Sequence, residues 1–158
     1  MNGEISEAEA AGALWDFALR LYSEPGVGEA CLILQDRFGV DVPLLLWAVW
    51  LGEGADLATL RAGDRTVGPW RARAVRPLRA LRRHLRDSIA GLDDGARENW
   101  RGSVKRLEID AERLALGVLA GIGRRGGRPD LAPFAAAFGL EPGCPELELV
   151  EAAARRLG

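Results

Sequence analysis

The segment Val42–Leu51 constrains the fold of this chain more than any other part. It reads Val-Pro-Leu-Leu-Leu-Trp-Ala-Val-Trp-Leu, and two indole N–H groups are its only polar side-chain atoms. A helix of this composition has no face suited to water, so the rest of the chain must surround it. The run ends at Gly52, whereas a membrane-spanning helix needs about 20 apolar residues. We therefore predict a buried central helix and no membrane span.

Length and composition fit one domain with one core. The 158 residues include 48% hydrophobic and 28% charged side chains, which are ordinary values for a globular protein. The net charge of −2 provides no overall attraction to nucleic acid or anionic lipid. Lys105 is the only lysine, so nearly all 21 basic residues are arginines, a bias typical of a GC-rich genome. Arginine clusters are therefore weaker evidence of function here than elsewhere.

Hydrophobic spacing predicts helices along the chain, and no strand pattern of useful length interrupts them. Ser6 and Glu9 have the spacing of a capping box, before a helix that should end at about Tyr22. A second helix should begin with a cap at Ser23 or at the glutamate that follows it, and should end at Gly39.

Beyond the central helix, a short helical segment at residues 56–61 should be broken at residues 63–65. Thr66 should cap a longer helix, which Pro77 should kink or split near Val75. Arginines fill its outward positions, and we call it the arginine helix.

The arginine helix is a candidate binding surface. A cationic stripe beside Trp70 could grip nucleic-acid phosphates or an acidic partner. The alternative is an ordinary solvated face that is neutralised by acids of the next helix. The candidate partner-binding residues are Trp70, Arg73, Arg76, Arg79 and Arg83.

The longest regular pattern follows a turn at residues 91–95. Apolar residues alternate there at spacings of four and three, namely Trp100, Val104, Leu107, Ala111, Leu114, Val118 and Ile122. This pattern is typical of a helix that packs along one face, and the short turn predicts antiparallel packing on the arginine helix. Four acids are the expected partners of the arginines, namely Glu98, Glu108, Asp110 and Glu112.

The basic, glycine-rich segment at residues 123–129 is expected to be a flexible linker. Residues 121–126 match Gly-x-Gly-x-x-Gly, but they follow a helix, whereas a dinucleotide site follows a strand, so we reject a cofactor loop. A basic loop that contacts phosphate is the alternative to a solvated linker.

Taken together, these patterns predict a single all-α domain, irregular in form, with about seven or eight helices around the central apolar helix. Residues 6–122 should form its main body, and residues 130–158 a C-terminal helical extension.

Residue types that serve catalysis or metal binding are scarce. His84 is the only histidine and lies among arginines, which favours a surface or boundary position. Cys31 lies in an apolar pattern and Cys144 in a Pro/Gly-rich loop, so neither a metal site nor a redox pair is indicated. No nucleophile elbow, zinc-protease motif or Walker loop occurs. We expect no cofactor and no metal, and we favour a protein that is not an enzyme.

Aromatic and acidic residues of the first three helices form a second candidate site. They could line a pocket for an apolar or amphipathic small molecule. Core packing is the alternative, because buried aromatic side chains usually fill space. The candidate pocket residues are Trp15, Tyr22, Asp36, Trp47 and Trp50.

Residues 1–7 are acidic and lack the basic start and apolar core of a secretory signal. Together with the two unpaired cysteines, they predict a cytoplasmic protein.

Several short stretches in the first two thirds of the chain form a recognisable set. They are Ala13-Leu14-Trp15-Asp16-Phe17-Ala18, Leu21-Tyr22, Pro25-Gly26-Val27, Glu29-Ala30-Cys31-Leu32, Leu34-Gln35-Asp36, Gly39-Val40-Asp41-Val42, Leu44-Leu45-Leu46 and Pro77-Leu78-Arg79-Ala80. Together they resemble a small proteobacterial family of all-helical proteins of unknown function. The resemblance fades after Gly91, and Pro43 stands where that family favours a polar residue. It implies a bacterial cytosolic protein and carries over no activity and no site.

The leading hypothesis is a non-enzymatic module that binds another protein, or a second copy of itself, through the arginine helix or an apolar patch near Trp70. The second hypothesis is the binding of an apolar or amphipathic small molecule between the first three helices. Weak nucleic-acid binding through the arginine helix is the third.

Overall fold

Helices make up nearly all of the regular structure. The computed structural model describes residues 5–158, so the first four residues of the acidic N-terminal segment lie outside the described residues. The elements are α1 (Glu7–Tyr22), α2 (Val27–Phe38), α3 (Val42–Leu51), α4 (Leu57–Trp70), the π segment (Arg71–Val75), α5 (Arg76–His84), α6 (Asp94–Ala120), α7 (Ala132–Phe138) and α8 (Pro145–Leu157). No strand occurs among residues 5–158, and the predicted all-α class is confirmed.

Helix α3 lies at the centre of the molecule, as its composition predicts. Every residue from Pro43 to Leu51 is buried, and α1, α2, α4 and α6 all pack against this helix. Asp41 caps it by accepting a hydrogen bond from the backbone N–H of Leu44 at 3.3 Å. Proline in the first turn loses no intrahelical hydrogen bond, so it does not disturb the helix.

The first two helices end where the sequence predicts, but α2 begins differently. Ser6 and Glu9 form both arms of the capping box of α1. The N-terminal cap of α2 is Gly26, with φ at 81°, and no side chain of residues 5–158 caps this end. Ser23 Oγ instead donates to a carbonyl in the last turn of α1, so it is not available to cap α2. The positive φ at this junction explains the glycine.

The predicted break at residues 63–65 is wrong, because α4 runs through it without interruption. Thr66 lies inside this helix and its Oγ1 donates to the Ala62 carbonyl at 2.8 Å. A Cβ at Gly63 would lie 2.5 Å from two ring carbons of Trp47. The glycine therefore allows α4 to pack closely on α3 and does not mark a turn.

The irregularity predicted before Pro77 takes the form of the π segment. The segment closes where Arg76 N–H donates to the Arg71 carbonyl, five residues earlier. Proline lacks an N–H and its ring crowds the carbonyl four residues back, so a widened turn accommodates it without breaking the helix.

Helix α5 packs antiparallel on α6, as predicted. Early residues of α5 contact late residues of α6, as in the pair Arg79 and Glu112, whereas the Arg86 carbonyl just after α5 accepts from Arg97 near the start of α6. Asp93 caps α6 by accepting from Ala96 N–H at 2.9 Å.

Residues 123–129, the predicted linker, form hydrogen bonds with the end of α3. Gly126 N–H donates to the Leu51 carbonyl at 2.9 Å, and Arg125 Nε donates to the Trp50 carbonyl at 3.1 Å. These donors satisfy carbonyls that the last turn of a helix leaves unpaired. The helices beyond the segment, α7 and α8, share the main core through residues such as Phe134.

Candidate functional site

One face of α6 exposes a row of large apolar side chains. Trp100, Leu107 and Leu114 are 60%, 56% and 60% exposed, and Val118 is 50% exposed. Intervals of seven residues place the first three on one line along the helix. We call these four residues the α6 stripe, which is about 27 Å long at 1.5 Å per residue.

The sequence placed these four residues on the inward face, and the structure corrects that assignment. The residues that α6 buries are Arg97, Val104, Glu108, Ala111, Ala115, Leu116, Leu119 and Ala120. The buried face of α6 thus includes Glu108, whose carboxylate is bonded by guanidinium groups of α5. Only Val104 and Ala111 of the predicted row are buried, so the periodicity identified a shared face but not what covers it.

Trp70 extends the exposed apolar surface beside the α6 stripe. Its Nε1 donates to the Ala111 carbonyl at 2.8 Å, while 40% of the residue stays exposed. Ala111 lies midway between Leu107 and Leu114, so Trp70 borders the middle of the stripe. If each large apolar side chain has about 200 Å² of surface and about half of it is exposed, the five residues together expose on the order of 500 Å². This is near the upper end of the patches that monomeric proteins expose.

Ion pairs neutralise much of the arginine helix. Arg79 and Arg82 both bond to the buried carboxylate of Glu108, and Arg79 Nη2 lies 3.4 Å from Glu112 Oε1. The hydrogen bond to Glu108 is the main favourable contribution that raises the pKa of Arg82, while burial opposes it. Two of the predicted acids therefore do pair with the arginines.

The predicted partner-binding residues fall into two groups. Arg79 is paired as described, and Arg83 Nη2 lies 2.6 Å from Asp36 Oδ1. Arg73 and Arg76 are exposed and form no ion pair with any residue of the described range. The structure thus places Trp70 beside the α6 stripe, and the two arginines without an ion pair among the described residues lie in the π segment and at the start of α5.

A groove of about 470 Å³ opens on the opposite flank of α6, between α1, α2 and α3. Its walls are largely apolar and include Leu19, Leu32, Leu46, Ile109 and Leu116. The volume lies within the range of about 300–1,000 Å³ that is common for small-molecule sites.

Two carboxyl groups of α6 reach this groove. Glu108 is held by two arginines, whereas the one hydrogen bond that Glu112 accepts from residues 5–158 is long, from Arg79 at 3.4 Å. Burial, and then the negative charge of Glu108, raise the pKa of Glu112 to about 7. Burial also raises the pKa of Tyr22, which lines the same groove. The groove is therefore largely apolar and, among the described residues, contains one carboxyl group, that of Glu112, with only a long contact to a cation.

The groove contains only part of the predicted pocket set. Trp15 and Tyr22 line it, whereas Asp36, Trp47 and Trp50 do not. Asp36 is exposed in its pair with an arginine of α5, because it lies on the outer face of α2. Both tryptophans of α3 are buried, since that helix is surrounded on all sides.

The two glutamates of α6 were not among the predicted pocket residues. The sequence hypothesis considered only the first three helices, and a fourth element contributes the polar side of the groove. Glu108 and Glu112 are four residues apart and therefore share a helix face, which is the signal that the sequence contains.

Cys31 lines the groove but has little reactivity. Burial raises the pKa of its thiol to about 12, so the thiolate needed for nucleophilic or metal chemistry is scarce. His84 is exposed at the end of α5. In the part of the chain that the structure describes, no three His, Cys, Asp or Glu residues are grouped to hold a metal ion.

Fold and surfaces together define an all-α helical protein with a buried central helix, an exposed apolar stripe and a groove on opposite flanks of α6. The chain belongs to the family described as "Protein of unknown function (DUF2390)", whose family model matches residues 13–119. The match continues past Gly91, where the resemblance was expected to fade, and it includes both the stripe and the groove. Searches of curated proteins and of solved structures found no match. None of the helices within residues 5–158 has the length and apolar character needed to cross a membrane.

Proposed function

We propose that this protein is a non-enzymatic protein-interaction module whose partner is a second copy of the same chain, docked on the α6 stripe. The observation that carries the proposal is the exposure of four large apolar side chains in heptad register on one face of α6. Leaving such a face in water is unfavourable, and a covering helix would remove that cost.

The character of the α6 stripe favours a second copy as the occupant. Its residues recur at spacings of seven, seven and four, a heptad register that another helix with the same register complements. None of the four stripe positions 100, 107, 114 and 118 carries a charge. A two-fold contact brings the same patch together from both chains, so one self-complementary face is sufficient.

The exposed area is also adequate for a pair. Two copies of the stripe with Trp70 would bury on the order of 1,000 Å² of apolar surface, and the surrounding rim adds more. Specific interfaces bury about 1,200–2,000 Å² in total, so the pair falls within reach of this range.

Nucleic-acid binding is the less favoured hypothesis. Arg79, Arg82 and Arg83 are in ion pairs with carboxylates, and the chain has a net charge of −2. Phosphate binding would require these arginines to exchange existing partners. We also propose a bacterial cytoplasmic location, which the family resemblance and the two free cysteines support.

The test is the mass of the protein in solution, measured by light scattering during size-exclusion chromatography. The wild type should have twice the mass of the 17.0 kDa chain, and a variant with Leu107→Lys and Leu114→Lys should have the mass of one chain. Both side chains are exposed, so the substitutions should not disturb the core.

Leu32→Lys is the matched control, because Leu32 is 49% exposed but lies on α2, across the groove from α6. It should retain the mass of the wild type. A wild type with the mass of one chain at every concentration, or a control that also dissociates, would overturn the proposal.

A further inference from the structure

We propose that the groove between α1, α2, α3 and α6 binds an amphipathic amine, with its hydrocarbon part along the apolar walls and its ammonium group beside Glu112. This site is separate from the α6 stripe, because residues 105, 109, 112 and 116 face the groove while the stripe faces away from it. The chemical class follows from the walls, the volume and the charges at the groove.

The walls select an apolar body. Leu19 and Leu32 border the groove from α1 and α2, and Ile109 borders it from α6. All three are partly exposed, so a hydrocarbon chain placed between them would remove apolar surface from water on both sides. At about 25 cal/mol per Å² this burial is the main source of affinity.

The charges select a cationic head. Glu108 already has two guanidinium partners, so it needs no further cation. Glu112 is largely buried, and among the described residues its one ion pair is the 3.4 Å contact with Arg79, which is less compensation than a buried carboxylate requires. An ammonium group at this position would supply that compensation through a charge-assisted hydrogen bond.

The cationic side chains at the groove do not favour an anionic ligand. Arg82 is engaged with Glu108, and Lys105 lies on an exposed part of α6, where water solvates its ammonium group. A solvated cation gains little from a new partner, whereas a desolvated carboxylate gains more. Of the charged groups at the groove, the carboxylate of Glu112 therefore gains the most stabilisation from a bound ligand of opposite charge.

The amine should bind more tightly as the pH rises from about 6 to about 8, because Glu112 becomes charged over this interval while an alkylamine stays protonated. The raised pKa of Glu112 is set first by burial. The charged and titratable groups around it are Glu108 on α6, Arg79 and Arg82 on α5, Asp41 before α3, Tyr22 on α1, Cys31 on α2 and Lys105 on α6.

The experiment uses three probes with the same eight-carbon chain, namely n-octylamine, octanoate and 1-octanol, titrated into the full chain by calorimetry. We expect n-octylamine to bind at least about tenfold more tightly than the other two at about pH 8. Glu112→Gln should remove that preference, while Glu98→Gln, on an exposed part of the same helix, should leave it unchanged.

Three results would overturn the inference: equal affinity for all three probes, preference for octanoate, or no binding of n-octylamine. The same titration on the variant with Leu107→Lys and Leu114→Lys separates this inference from the proposed pairing. Its groove is intact, so it should bind n-octylamine as the wild type does.

Discussion

Gly63 determines how closely α4 can approach α3. A Cβ at this position would lie 2.5 Å from the Trp47 ring and 3.0 Å from a methyl group of Leu119. Both neighbours are fully buried, so neither side chain has room to move aside. The glycine is therefore required by packing, although glycine is unfavourable in the interior of a helix.

Gly63→Ala should lower the free energy of unfolding by about 1–3 kcal/mol, because overpacking outweighs the gain in helix propensity. Gly12→Ala is the matched control on α1, where a Cβ meets nothing within 4 Å. It should raise the free energy of unfolding by about 0.4–1 kcal/mol. Urea unfolding measures both values, and equal stability of the two variants would contradict this account of Gly63.

Glu112 should make the stability of the protein depend on pH. Its pKa is about 7 in the folded protein and 4.5 in an ordinary glutamate, so between these values the folded state holds a proton that the unfolded state has lost. The free energy of unfolding should therefore fall as the pH rises through this interval.

Glu112→Gln should remove this pH dependence. The difference in free energy of unfolding between variant and wild type should change by up to about 3 kcal/mol between about pH 5 and pH 8, at about 1.4 kcal/mol per pKa unit. Urea titrations at a series of pH values measure this difference. If the free energies of unfolding of wild type and variant depend on pH in the same way, the pKa of Glu112 is not raised by folding.

Between elements, the contact of α5 with α6 depends on the carboxylate of Glu108. Two arginines bond to it, and its side chain is only 8% exposed. Loss of Glu108 would leave the guanidinium of Arg82 without its carboxylate partner in a poorly solvated site, whereas Arg79 would keep its longer contact with Glu112.

Glu108→Ala should therefore lower the free energy of unfolding by about 3 kcal/mol. Asp110→Ala, an exposed acid two residues along the same helix, should change it by less than about 0.5 kcal/mol. Thermal unfolding measures the two variants side by side. If Glu108→Ala changes the free energy of unfolding as little as Asp110→Ala does, these ion pairs contribute little to the packing of α5 on α6.

Helices and caps were predictable from the sequence because their signals are local. The capping box at Ser6, the cap at Asp41 and the C-terminal glycine at Gly39 each act within a few residues of the helix that they end. The continuity of α4 was not predictable, because Gly63 is required by its close packing on a tryptophan that is 16 residues away in the sequence.

The candidate sites were less predictable than the helices. Periodicity placed Leu107 and Leu114 on one face of α6, but a core and an interface give the same spacing. The two carboxyl groups of the groove come from an element that is distant in sequence from α1 and α2. Only the packing of α6 on α1, α3, α4 and α5 shows which face is covered and which is open.

For the whole molecule, the central apolar helix organises the architecture as predicted. The C-terminal part is more closely joined to it than the sequence indicates. Residues 123–129 bond to the last turn of α3, and α8 packs on α2, so residues 130–158 share the core of the main body. Hydrogen bonds from a loop to backbone carbonyls at a helix end have no signature in residue type, so the sequence does not indicate them.

The most direct measurement of the proposed pairing is site-specific cross-linking at the middle of the α6 stripe. Residue 110 flanks the centre of the stripe and is exposed, so two copies come within reach of a short bismaleimide when the helices pack about 8–10 Å apart. Lys105 lies on the opposite flank of α6, beside the groove, and is the control position. The native thiols of Cys31 and Cys144 are buried.

Asp110→Cys should yield a cross-linked pair of twice the 17.0 kDa chain mass, and Lys105→Cys should remain a single chain. Adding Leu107→Lys to Asp110→Cys should abolish the cross-link. A single chain for Asp110→Cys at all concentrations, or equal cross-linking from the two positions, would contradict the pairing of two chains through α6.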